Sequence, residues 1–265
     1  MNTFSPPVQI SKLQVKNLSI DIHVVREDLL PGGTKQRAII PFLQDLQKNN
    51  YNEFIYASPF CGFAQVALAY AGKHLGKKIT IFCETIKNKE GDDAFHEMSL
   101  LAQSLGAHLI ASANLTEAET LATEHVELNM TAFKIPLGFN HPAFILHYAK
   151  ALADQYRILC DKLQFTPRAL WLPIGSGTLA QLFRKVLSPE TLINCVDVGV
   201  LPAADQRIAS IHHMDNINFY RTDLQFHEEC TMTPPLPSNK FYDAKVWQYI
   251  EQYGQHNDVW WNVAR

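Results

Sequence analysis

Residues 54–83 read FIYASPFCGFAQVALAYAGKHLGKKITIFC. An apolar run at 54–57 breaks at 58–62, a helical pattern follows over 64–75, and Gly76 leads into a second apolar run at 79–83. Two short buried strands joined by a helix make a βαβ unit, whose strands lie parallel. The same alternation extends in both directions. Upstream, 18–25 reads as a strand, Pro31-Gly32-Gly33 breaks the chain, and 35–47 carries apolar residues at helical spacing. Downstream, 93–105 reads as a helix, 108–112 as a strand, and Thr116 with Glu119 as a capping box opening the next helix. A boundary at Ile135-Pro136-Leu137-Gly138 precedes one long helix over 141–163. Strand 170–174 then runs into Gly175-Ser176-Gly177, followed by a helix over 179–186 and a strand over 194–200. A proline-rich connector (231–239), a helix (243–253) and an aromatic tail, Trp260-Trp261, close the chain. The expected class is α/β, with parallel sheets flanked by helices.

Composition narrows the function. The 265 residues are 47% hydrophobic and 18% charged, ample for a core and low in charge for a chain with only solvated faces. With 23 basic and 26 acidic residues the net charge is −3, so no basic stripe points to a nucleic-acid backbone. No run of 18 apolar residues suggests a membrane span, and the N-terminus lacks a signal-peptide pattern. Five scattered cysteines without a CxxC pair read as reduced thiols in a cytoplasmic protein. The histidines show no HExxH or paired-carboxylate spacing, so no metal is expected.

Three glycine-bearing turns and one aromatic-acid pair carry the chemistry. Gly175-Ser176-Gly177-Thr178 lies between a strand and a helix, where small residues and a helix N-terminus suit a phosphate. It is neither the dinucleotide fingerprint nor a P-loop, and a plain strand-to-helix connection would look similar. Lys35 follows two glycines at a helix start; used as a Schiff-base nucleophile it would need a bound aldehyde whose phosphate is held elsewhere. Ser58 to Gln65 forms a third strand-to-helix turn. Tyr242-Asp243 sets a phenol beside a carboxylate at a helix start, where a simple capping role is the competing reading.

The order of six segments resembles a known family. REDLLPGGTKQRA, ASPFCGFAQVALAYAGKHLGKKITIF, IPLG, LPIGSGTLAQL, DVGVLPA and FYDAKVW resemble the fold type II pyridoxal-phosphate enzymes, the tryptophan synthase β-like superfamily. The aminocyclopropane-carboxylate deaminase and D-cysteine desulfhydrase branch is the most similar. The resemblance implies two lobes, a larger one of residues 1–51 and 135–265 and a smaller one of 52–134 closing a cleft. It implies pyridoxal 5′-phosphate held on Lys35 as an internal aldimine, with Gly175, Ser176, Gly177 and Thr178 on its phosphate. Tyr242 becomes a candidate second acid/base. Asp243 stands where the deaminases carry an acid against the pyridine nitrogen and the desulfhydrases a threonine. Phe63 stands where relatives place an asparagine beside the cofactor, and Ser58, Gly62 and Gln65 fall in the loop that commonly holds the substrate carboxylate.

The implied activity is a lyase or deaminase acting at the α-carbon of a small amino acid. Because the 58–65 loop departs from the SGNHG and SNHxRQ patterns of relatives, two alternatives stand beside it. One is a decarboxylase or lyase of an amino-acyl group on a larger substrate; the other is a cofactor-binding pseudoenzyme. Relatives are commonly dimers, so a homodimer is an expectation, with Trp260 and Trp261 available to cover its seam.

Overall fold

The computed structural model describes residues 4–265. Eleven strands and eight α-helices are ordered among them. Two compact units divide the chain: one takes the residues before Lys35 together with Tyr148–Arg265, the other Lys35–His147. These breaks differ from 51/52 and 134/135 because α1 (Gln36–Gln47) packs with the second group. Phe42 on α1 meets Phe139 and Phe144 at ring separations of 6.3 and 5.6 Å.

In the first unit, β1 (Ile10–Val15), β2 (Ile20–Arg26), β8 (Ala169–Ile174), β9 (Leu192–Asp197), β10 (Ile217–Arg221) and β11 (Val259–Asn262) form one sheet. Its order is β1-β2-β11-β8-β9-β10, antiparallel only at β1 and parallel elsewhere. Helices α6 (Thr178–Val186), α7 (Gln206–His212) and α8 (Asp243–Tyr253) belong to this unit. Trp171, Val196, Trp247 and Trp260 pack into one core with Ile22 and Val24. The aromatic tail is therefore no subunit seam. Trp260 and Trp261 are both fully buried, because β11 lies between β2 and β8 in the middle of the sheet.

In the second unit, β3 (Glu53–Ser58), β4 (Lys78–Lys87), β5 (Asp93–Phe95) and β7 (Ala132–Ile135) run in the order β5-β4-β3-β7, and β6 (His108–Ser112) also pairs with β4. β3 is buried at all six positions, as a strand covered on both faces must be. Helix α2 (Ala64–Leu75) ends at Gly76 in the left-handed conformation.

Three sequence expectations need correction. Residues 93–95 pair with β4 as β5, and helix α3 starts only at Glu97, after His96 caps it. Helix α4 (Leu115–Leu128) is capped two residues earlier than expected, by Asn114, whose side chain accepts from Glu117 N. β9 stops at Asp197, and Gly199 turns the chain with φ of +83°. The long helix α5 covers Pro142–Leu163, and among the described residues no helix is long and apolar enough to cross a membrane.

Candidate functional site

The first unit presents the glycine turn at the carboxyl end of β8, where open α/β sheets place their ligands. Gly177 has φ of +82°, and a Cβ there would lie 3.0 Å from Ile211 Cδ1 and 3.1 Å from the Arg207 carbonyl. Only glycine fits such a backbone without strain. α6 starts at the next residue, so its first N–H groups, which have no partner inside the helix, open toward the turn. Ser176 Oγ and Thr178 Oγ1 lie 3.2 Å apart and add two hydroxyls to the same place. Hydroxyls and a helix N-terminus together suit a phosphate dianion.

Tyr242 comes to this turn from α8. A Cβ built on Gly175 would sit 3.3 Å from Tyr242 Cε1 and 3.3 Å from Val200 Cγ2, so the phenol ring lies against the turn. Phe226 packs edge-on against that ring at 5.2 Å. Asn239 fixes the helix start: its carbonyl accepts from Tyr242 N and Ala244 N, and its side chain accepts from Phe241 N.

Asp243 is completely buried. Its Oδ1 accepts from Val263 N at 2.7 Å and its Oδ2 from Ala264 N at 3.1 Å. Burial raises its pKa well above the usual carboxylate range; the two N–H groups oppose that shift and the nearby Asp28 carboxylate adds to it. The side chain thus reaches across to the C-terminal tail instead of capping its own helix. Arg26 already holds Asp28 through two 2.8 Å bonds. A cation delivered to Asp243 would restore its ionised form.

Lys35 opens the second unit, directly after Thr34 in the chain. Thr34 is tied to the C-terminal tail by its N–H to the Val263 carbonyl and by Trp261 Nε1 to its hydroxyl, both at 3.1 Å. Lys35 carries the first turn of α1, its carbonyl accepting from Ala38 N and Ile39 N. The residue is half-buried, and desolvation of its ammonium lowers the pKa to about 8. A lysine shifted that way is a nucleophile at mild pH.

The 58–65 loop is closed upon itself. Ser58 Oγ donates to the Pro59 carbonyl at 3.0 Å, and Gly62 N donates to the same carbonyl. A Cβ on Gly62 would come within 2.9 Å of Ser58 Oγ, so the turn needs a glycine. Phe63 is the N-cap of α2, and its carbonyl accepts from Val66 N and Ala67 N. Gln65 is fully buried; its Nε2 donates to the Phe60 carbonyl, and its Oε1 has no partner among the described residues. Cys61 is fully buried. The structure therefore gathers Gly175, Gly177, Tyr242 and Asp243 within the first unit, and Ser58, Gly62, Phe63 and Gln65 within one turn of the second.

Sequence reasoning missed Glu84. It stands at the end of the ITIFC run, and its carboxylate accepts from Phe60 N at 3.2 Å and Leu115 N at 3.1 Å. An acid closing a buried strand next to a glycine turn was the available signal.

Comparison with known proteins decides the family. The family described as "Pyridoxal-phosphate dependent enzyme" matches residues 3–208. The chain belongs to that family. Among curated proteins no sequence matches. Solved structures share the fold at low identity. An aminocyclopropane-carboxylate (ACC) deaminase homologue superposes with a TM-score of 0.75 at 14% identity, covering 98% of this chain and 90% of its own. Diaminopropionate ammonia lyase from Escherichia coli gives 0.71 at 15% identity, covering 100% and 84%. Processed threonine deaminase isoform 2 from Solanum lycopersicum gives 0.67 at 17%, covering 96% and 83%. This pyridoxal-phosphate enzyme thus has the fold type II architecture.

The residue chemistry fits the cofactor. The hydroxyls and helix N-terminus at Gly175–Thr178 would suit its phosphate, the buried Asp243 carboxylate a protonated ring nitrogen, and the Lys35 amine of lowered pKa an aldehyde.

Proposed function

We propose that the chain is a lyase or deaminase acting at the α-carbon of an amino-acid-type substrate. Lys35 would hold the cofactor, Gly175, Ser176, Gly177 and Thr178 its phosphate, and Asp243 its ring nitrogen. Pyridoxal phosphate, when bound, supplies an electron sink for charge developing at the α-carbon. The chain's own groups do the rest. The Lys35 amine, half free base near pH 8, acts as nucleophile and then as proton acceptor. Asp243, desolvated and held by two backbone N–H groups, would favour a proton on the ring nitrogen by opposite charge. Tyr242, whose ring lies against the Gly175 turn, would serve as a second acid/base, and Phe63 would stand where relatives carry an asparagine beside the cofactor.

The observation that carries this reading is the Tyr242-Asp243 step. One helix start sends a phenol to the phosphate turn and a carboxylate into the core. Its test compares Asp243→Ala with Asp243→Thr for deamination, elimination and decarboxylation of candidate amino acids. Cofactor occupancy is read from visible absorbance. Both variants should retain the cofactor, and turnover should fall by orders of magnitude. Threonine should recover elimination better than the other two reactions. Unchanged turnover in both variants would reduce Asp243 to an anchor for the tail.

The closed 58–65 loop favours a second reading, in which the amino-acyl group is carried on something larger than a free amino acid. The five free thiols support a reducing, cytoplasmic setting.

A further inference from the structure

Glu84 lies one residue beyond the β3–β4 register pair Ser58–Cys83, opposite Ser112 on β6. There, where β3 and β6 end beside β4, two backbone N–H groups converge from different elements. Phe60 N comes from the 58–65 turn, and Leu115 N is the first N–H of α4. Such a pair, backed by a helix N-terminus, is where an incoming carboxylate would bind. Glu84 supplies that carboxylate from within the chain. A second anion arriving at the loop would find those N–H groups taken and a like charge in place.

Gln65 extends the pattern. The Phe60 carbonyl can only accept, so the hydrogen bond from Nε2 fixes the amide and leaves Oε1 as the outstanding atom. That oxygen is a fully buried acceptor without a donor. Ser112 Oγ, on the same face as Glu84, is likewise buried and without a hydrogen-bond partner among the described residues. A buried acceptor of this kind calls for a donor.

We propose that the 58–65 loop, with Glu84 and Gln65, receives a hydrogen-bond donor of the substrate and excludes a free α-carboxylate. The substrate class is then an amino-acyl amide, whose amide N–H meets Gln65 Oε1. This rests on the reading that the loop faces the substrate of a pyridoxal-phosphate site, and it deepens that reading by naming what the substrate presents.

The test titrates the cofactor-loaded protein with L-serinamide and L-serine, following the shift of the visible band as a measure of binding. Wild type should saturate with serinamide at concentrations at least tenfold below those for serine. Glu84→Gln keeps the side chain's size and removes its charge; it should shift the ratio of the two dissociation constants about tenfold or more toward serine. Gln65→Leu should weaken serinamide about tenfold without improving serine. Circular dichroism of each variant checks that the loop change leaves the fold in place. A wild type that prefers serine, or a ratio unmoved by Glu84→Gln, overturns the proposal. Borohydride fixation separates the two levels. Label on Lys35 with an unmoved ratio sinks only the substrate class, whereas no visible band and no label on Lys35 sinks the pyridoxal-phosphate site and the proposal with it.

Discussion

Lys35 and Asp243 are the two residues where burial and charge work against each other. The folded Lys35 pKa of about 8 lies below its value in an unfolded chain, about 10.4. Between those values the unfolded chain binds more protons, so cofactor-free stability should rise with pH from about 8 to about 10.5. Lys35→Met should flatten that rise in denaturant titrations, and it should abolish the visible band of the loaded protein. The rate of cofactor capture should climb through pH 8 as the amine is freed, a dependence stopped-flow absorbance reads directly. Asp243→Ala removes the acceptor for the buried Ala264 N–H, which costs about 1–3 kcal/mol when left unsatisfied, and for the part-buried Val263 N–H. Chemical denaturation of the cofactor-free variant should show a loss of that order, where a mere surface cap would lose about 1 kcal/mol. The sequence marked Asp243 as a residue of interest, but Val263 and Ala264 as its holders were unreadable. Backbone N–H groups carry no sequence signature, and their partner lies twenty residues away.

Among the elements, the β8–α6 turn and β11 carry the sharpest expectations. Gly175→Ala would put a methyl 3.3 Å from both Tyr242 and Val200. Neither neighbour is backbone, so the change should cost about 1–3 kcal/mol through a displaced phenol ring. Weaker retention of the cofactor through gel filtration would accompany it. The turn was legible because glycines between an apolar run and a helical pattern have few other meanings. β11 was not. Val259–Asn262 is four residues long, too short for a period to show, and a pair of tryptophans near a terminus reads as well for a surface as for a core. Strands β7 and β10 escaped for the same reason, four and five residues with half-buried patterns. Helices 64–75 and 243–253 were read to the residue, because Gly76 stops one and an acid at the start opens the other.

At the scale of the whole molecule, the alternation of strands and helices was enough for the class, and the order of six motifs for the family. The breaks between the two units were not readable, since packing of α1 through Phe42 depends on rings a hundred residues away. Removing residues 259–265 should leave no soluble, cooperatively folding first unit. That deletion takes out the strand between β2 and β8, the acceptor of Thr34 N and the donors to Asp243. Expression of the shortened chain with thermal unfolding in parallel checks this; a normal transition would show that β2 and β8 can pair without it.

The place of β11 also sets a schedule for synthesis. Residues 35–147 form their sheet from consecutive segments and can close while the chain is still leaving the ribosome. β2 has β1 on one side, close in sequence, but must wait for the far later Val259–Asn262 on the other. Until residues 259–262 are made it holds an open, apolar strand edge of the kind that invites wrong pairing. The arrival of β11 therefore ends that exposure.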